Sequence, residues 1–248
     1  MRINKDNIYV IPPSSKYFDN VKLDSYMEGN FTLHVRCKIN VEMLPENEDA
    51  FIISRNGMHS GIAVYRHSNG EVFVHFIYWF LDNQGKSVLE CVNYLIPKPL
   101  LNFSNTYTMI CNHSKELINC YINEEKIGSI NYIGLNKCSY KGSYYWFGCS
   151  NMLTKEGDSK NIGDFDIDLA FLCKNSLKME EVEDIALNYR TKYSEKYIKE
   201  LRLLNNKIPQ KEYFGFFCDF STISNYKIWN MSFNGIYPMI YLEDNTYY

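Results

Sequence analysis

The sequence predicts an all-β chain, an antiparallel sandwich or barrel, with one long amphipathic helix in its C-terminal half. Three observations carry this expectation. Apolar residues alternate with polar ones through most of the first two-thirds of the chain. Turn dipeptides, Asn56-Gly57 and Asn69-Gly70 among them, separate short runs of this kind, a spacing that suits hairpins rather than crossovers. The period then changes: from Met179 to about Leu204 the apolar residues Val182, Ile185, Ala186, Tyr189, Tyr193, Tyr197, Leu201 and Leu204 recur at helical steps, which puts them on one side of a helix.

Taken in order, the first long element is 31–41. Phe31, Leu33, Val35, Cys37, Ile39 and Val41 alternate with Thr32, His34, Arg36, Lys38 and Asn40, so one face is dry and the other wet. Strands are expected next at 50–54 (AFIIS), 61–66 (GIAVYR) and 71–80 (EVFVHFIYWF). The last is apolar on both faces, with Val72, Val74, Phe76, Tyr78 and Phe80 on one and Phe73, His75, Ile77 and Trp79 on the other. Such a strand is central and covered, or it lines a groove. Further strands are expected at 88–95, 106–112, 117–122, 126–132 and 144–149. The helical segment runs over about 179–205 and Pro209 stops it, because proline cannot continue a helix. Strand character returns over about 213–242, in YFGFFCDF and GIYPMIYL. No linker composition interrupts the chain, so residues 1–248 are expected to form a single domain.

Composition narrows the class. The chain has 248 residues, 46% of them hydrophobic, and 26 basic against 29 acidic side chains, a net charge of −3. Area-to-mass scaling gives a chain of this size a buried fraction of about 73%, enough for a core without staples. The balance of charge argues against a nucleic-acid partner, and no apolar run approaches the eighteen residues of a membrane span, so no membrane insertion is expected. Four of the eight cysteines (Cys37, Cys111, Cys120 and Cys173) sit inside apolar stretches and read as core thiols; no CxxC pair and no Cys/His spacing suits zinc. With no leader-like run in MRINKDNIYVIPPSSKYF, a reducing, cytoplasmic setting is expected. The Asn-x-Ser/Thr triplets at Asn30, Asn102, Asn112 and Asn230 then read as chance in an Asn-rich chain, whose Lys, Asn, Ile and Tyr bias suggests an AT-rich bacterial genome.

The segment GDFDIDLAFLCKNSLKMEEVEDIALNY (163–189) leads from a strand through a turn at Lys174-Asn175-Ser176 into a helix opening on Leu177 and Glu180-Glu181. It follows YTMICNHSKELINCYINEEKIGSI (107–130), a strand, a turn and a hairpin with Asn123 at its tip. Together these resemble the closing motifs of the laminin-G/concanavalin-A-like lectin and glucanase superfamily. Over residues 30–190 the resemblance implies an antiparallel jelly-roll β-sandwich. Lys178 stands where that superfamily usually has a Ser or Thr helix cap, which leaves Ser176 as the candidate cap, and the helix is longer than usual. FCDFSTISNYKIWNMSFNG (217–235) resembles a strand and turn that such domains carry near their start, with Asn230 in place of Asp. The superfamily holds lectins, glycoside hydrolases, toxin receptor-binding domains and adhesion modules, so the resemblance speaks to fold before ligand.

Two constellations bear on chemistry. Asp164, Asp166 and Asp168 alternate along one strand, a spacing compatible with the carboxylate pair of a retaining glycosidase, about 5–5.5 Å apart. The glutamate pattern of jelly-roll hydrolases is missing, so these are weak catalytic candidates and a solvated strand face is the simpler reading. The five histidines form no metal-binding pair, and no nucleophile elbow, Walker loop or dinucleotide fingerprint occurs; neither a metal nor a cofactor is expected. The second constellation is a binding face. His34 and Arg36, beside Lys38, point to the wet side of 31–41, and His75 and Trp79 join them if both strands share a sheet. Tyr144, Tyr145 and Trp146 form a second aromatic cluster. Rings beside planar polar groups suit sugars, which stack their C–H faces on aromatics and hydrogen-bond at their edges. The leading reading is therefore a non-catalytic carbohydrate-binding module for an oligosaccharide or polysaccharide, accessory to glycan assembly, degradation or attachment. Two alternatives stay open: a glycan-active enzyme using the strand aspartates, and an interaction module that oligomerises through the helix or an exposed sheet edge. A further domain of a longer protein, or a homo-oligomer, fits the leading reading as well.

Overall fold

Among the described residues the alternating runs become strands that pair antiparallel into two sheets of seven strands each. A computed structural model describes residues 2–4, 8–11, 27–55, 60–133, 145–149, 162–192, 214–220 and 239–241. The strands are β1 (Arg2–Ile3), β2 (Ile8–Ile11), β3 (Phe31–Ile39), β4 (Asp49–Arg55), β5 (Ser60–Arg66), β6 (Val72–Leu81), β7 (Ser87–Leu95), β8 (Asn105–Asn112), β9 (Leu117–Ile122), β10 (Glu125–Asn131), β11 (Tyr145–Phe147), β12 (Phe165–Cys173), β13 (Phe214–Asp219) and β14 (Met239–Tyr241). Helix α1 (Met179–Lys192) lies between β12 and β13. The first sheet runs β1-β12-β3-β8-β9-β10, with β13 also on β12; the second runs β14-β2-β11-β4-β5-β6-β7. The chain crosses repeatedly between sheets, and the all-β jelly-roll sandwich expected from the sequence is the fold.

One hydrophobic core fills the space between the sheets. Leu33, Val35 and Cys37 of β3 meet Val74, Phe76 and Tyr78 of β6 there, all almost completely buried. Tyr78 stacks on Phe31 at 5.8 Å and donates its hydroxyl to the Met27 carbonyl at 2.9 Å, so its one polar atom is satisfied inside an apolar core.

Two bulges explain departures from strict alternation. In β12 the register to β3 shifts between Ile167 and Leu169. Phe165 and Ile167 face the core before the shift, and Ala170 and Leu172 face it after. The extra residue reverses which parity points inward, so Leu169, Phe171 and Cys173 turn outward to a second cluster with Ile110, Leu177, Val182, Ile185 and Ala186. Helix α1 therefore lies on the outer face of the first sheet, as the apolar stripe of its own chain predicts. In β4 the register shifts between Phe51 and Ile53. Opposite it stands Gly61, where any Cβ would run into the Ile53 carbonyl.

The start of α1 corrects one expectation. The cap does not come from Ser176: Glu181 reaches back to accept from the Lys178 amide at 2.8 Å, the second half of a capping box. Thr32 of β3 completes the junction, its hydroxyl accepting from the Leu177 amide at 3.1 Å and donating to the Asn175 carbonyl at 2.7 Å. The short strands β1 and β2 escaped the sequence reading because two and four residues carry too little alternation. The expected turn at Asn56-Gly57, the helix beyond Lys192 and the stretches between and around the returning strands lie outside the described residues.

Candidate functional site

The expectation that His34, Arg36, His75 and Trp79 share a face is overturned by topology. β3 belongs to the first sheet and β6 to the second, and in each strand these residues alternate with core residues. The two pairs therefore lie on opposite outer faces of the sandwich.

His34 is also not open to a ligand. It is 2% exposed, stacks on Phe171 at 4.9 Å, and has Nδ1 2.9 Å from the Thr108 hydroxyl. Burial, helped by the Arg36 cation, lowers its pKa to about 3, since a charged imidazole is poorly solvated there. Arg36 lies on the same outer face, its Nε 3.5 Å from Asp168.

The three aspartates are held by neighbours. Asp164, just before β12, takes the Arg2 guanidinium at 2.8 Å and the Asn40 side-chain amide, and its carbonyl accepts from the Asn40 amide at 3.0 Å. This clamps the chain start to the ends of β12 and β3. Asp166 stands opposite Arg2 and Lys38 in the ladders. Asp168, at the bulge, faces Arg36 and accepts from the Ser104 hydroxyl at 3.3 Å.

The remaining candidates gather on the outer face of the second sheet. Cross-strand register sets Asp49, Tyr65, Phe73 and Leu95 in one row; Phe51, Ala63, His75 and Asn93 in the next; and Trp146, Ser54, Gly61, Ile77 and Cys91 in a third. Trp79 and Leu89 lie one row further. Phe51, Ala63 and Ile77 close over as a small buried cluster at the middle. At one end His75 stacks on Tyr65 at 5.7 Å, almost parallel at 17°, and its Nδ1 is 2.8 Å from Oδ1 of Asp49. The His75 side chain keeps 18% of its surface exposed and Asp49 keeps 34%. At the other end Trp79 is half-buried, its amide held by the Ser60 hydroxyl at 3.1 Å. His75 and Trp79 are four residues apart on one strand, about 13 Å.

No protein-family model and no curated protein matches the chain. Among solved structures it is similar to a heptameric SAP-like pentraxin from Limulus polyphemus, at 12% identity over 73% of this chain and 82% of that one, with a TM-score of 0.43. It is similar to the botulinum neurotoxin serotype D binding domain at 14% identity over 73% and 40%, with a TM-score of 0.47. The sialidase CBM40 of Ruminococcus gnavus is matched at 11% identity over 73% and 95%, with a TM-score of 0.45. None of these likenesses assigns a ligand or a residue role to this chain.

Of the aromatic cluster proposed from sequence, Trp146 lies on this same outer face but is almost buried, and Tyr145 points into the core. Tyr144 lies outside the described residues. Sequence reasoning missed Asp49, Tyr65 and Asn93. The signal for the first two was available in part: Asp49 opens β4 and Tyr65 is the last residue but one of β5, and a hairpin places those ends together. Among the described residues no group of three His, Cys, Asp or Glu side chains is arranged for a metal, and no helix is long and apolar enough to cross a membrane.

Proposed function

We propose that the chain is a non-catalytic carbohydrate-binding module whose ligand lies across the outer face of the second sheet. One observation carries the reading: the Asp49–His75–Tyr65 group, partly exposed and aligned on one sheet face with Phe73, Asn93 and Trp79. Rings at both ends offer stacking surface, and His75 Nε2, the Asp49 carboxylate and the Asn93 amide supply edge-on donors and acceptors for hydroxyls. The length of the strip, about 13 Å from His75 to Trp79, suits an oligosaccharide of several units. An oligosaccharide or polysaccharide is the expected partner, and no step of bond cleavage is invoked.

The test is a glycan array on the full chain followed by calorimetry on the best hit. His75→Ala and Trp79→Ala should each weaken binding about tenfold, roughly 1.4 kcal/mol, with circular dichroism melts checking that each variant is folded at the temperature of the measurement. An array without hits, or a hit whose affinity survives both substitutions together, overturns the proposal.

A further inference from the structure

We infer that β7 is a dimerisation strand: it pairs antiparallel with β7 of a second copy about a two-fold axis at Cys91, joining two second sheets into one continuous sheet. The ladder to β6 sets which backbone groups of β7 point away from it. The Ile96 amide donates to the Val72 carbonyl at 2.8 Å. In an antiparallel ladder every second residue bonds the neighbour, so Tyr94, Val92, Glu90 and Val88 are the ones turned to β6. The amides and carbonyls of Ser87, Leu89, Cys91, Asn93 and Leu95 point to the other side, where no strand among the described residues pairs with them. Those same five residues are all exposed, Leu89 at 53% and Leu95 at 46%.

An edge nine residues long, unpaired among the described residues, is a hazard unless it is blunted or covered. β7 (SVLECVNYL) has no proline, lysine or arginine, and its register to β6 runs without a shift. The edge of the first sheet that packs beside it differs. β10 carries Glu125 and Lys126 and breaks register between Lys126 and Gly128, and Gly128 is pressed by Val92, whose Cγ1 would lie 2.7 Å from an added Cβ. Nature's usual protection is thus present on β10 and absent on β7.

Self-complementarity selects the register. With Cys91 opposite its own copy, Leu89 meets Asn93 and Ser87 meets Leu95, so every outward-facing group of the strand finds a partner. The one charge, Glu90, then faces Val92. Moving the axis to Glu90 sets carboxylate against carboxylate, which opposes pairing. Moving it to Val92 leaves Ser87 and Val88 overhanging. A two-fold pairing also closes, so it stops at two copies. The same register places His75 and Asn93 of one copy in a row with Leu89 and Trp79 of the other. The dimer itself does not rest on the glycan reading.

Light scattering after size exclusion should give twice 29.2 kDa for the full chain. Bismaleimidoethane, whose two maleimide double bonds each add one thiol, should link the dimer through Cys91, and Cys91→Ser should abolish the link while leaving the dimer. Leu89→Lys should weaken association at least tenfold, about 1.4 kcal/mol. Cys91→Pro, which removes an outward amide and leaves the bonds to β6 intact, should do the same. Circular dichroism melts check that both variants fold. A chain monomeric at about 100 µM, a dimer indifferent to both variants, or a dimer that does not link at Cys91 overturns the inference.

Discussion

His34 shows how burial turns a candidate ligand into a pH-sensitive packing residue. Its folded pKa of about 3 lies below the ordinary 6.5. Between those values the unfolded chain binds a proton that the folded chain refuses. The contribution is complete above about pH 6.5 and is lost as pH falls, at up to about 1.4 kcal/mol per pH unit. Urea titrations of the wild type and His34→Gln from pH 7 to 4 should show a steeper acid loss in the wild type. A second residue-scale expectation concerns Asn123 and Glu124, both left-handed at φ 48 and 45. The β9–β10 hairpin thus turns through two positive-φ residues, where Asn-Gly is preferred. Glu124→Gly should raise stability by about 0.5–1 kcal/mol, the relief of left-handed strain less the entropy glycine loses; an unchanged or lower denaturation midpoint would contradict this. The thiols follow the same logic of burial: Cys149 is pushed up to about 12 and Cys111 and Cys173 to about 11, chiefly by desolvation, so they should resist alkylation in the folded protein.

At the scale of elements, the bulge in β12 is what gives α1 a seat. Without the parity reversal Phe171 and Leu169 would compete for the sandwich interior; with it they form an outer patch that Val182 and Ile185 cover. Ile185→Ala should cost about 2 kcal/mol, the low end for a large-to-small change, because the site is at the margin of a small cluster. Thr32→Val tests the junction between β3 and the helix start. It strands the Leu177 amide and the Asn175 carbonyl and should cost about 1–3 kcal/mol, read from denaturant melts at equal m-value. The helix was legible because its stripe recurs at i, i+3 and i+4. Its cap was not, since the capping-box glutamate follows a lysine and the hydroxyl that assists comes from Thr32, far away in sequence.

At the scale of the molecule, the clamp of Arg2 and Asn40 on Asp164 ties the first residues to the junction of β12 and β3. The carboxylate in turn raises the Arg2 pKa, chiefly through its hydrogen bond. Arg2→Gln should lower the melting temperature, and Asp164→Asn should lower it further because the amide has no charge and leaves one acceptor oxygen for the donors of both partners; a melt insensitive to either would remove this role. Most strands lie within a residue or two of where alternation places them, because a half-buried strand must alternate. Which sheet each strand joins is not a property of its own pattern. β3 alternates and β6 is apolar on both faces, yet neither pattern names a layer, and only pairing partners assign one strand to each. That assignment separates His34 and Arg36 from His75 and Trp79 and brings Asp49 and Tyr65 to His75.

The fold class, the extent of most strands, the amphipathic stripe of the helix and the burial of Cys37, Cys111, Cys120 and Cys173 were legible in the sequence alone. Each follows from local periodicity and from the cost of exposing apolar surface. Tertiary structure alone decided which side chains meet. A single-residue bulge reverses the faces of β12, strand order places β3 and β6 in opposite layers, and β7 is left as an edge. These depend on contacts between residues remote in sequence, which no local pattern encodes.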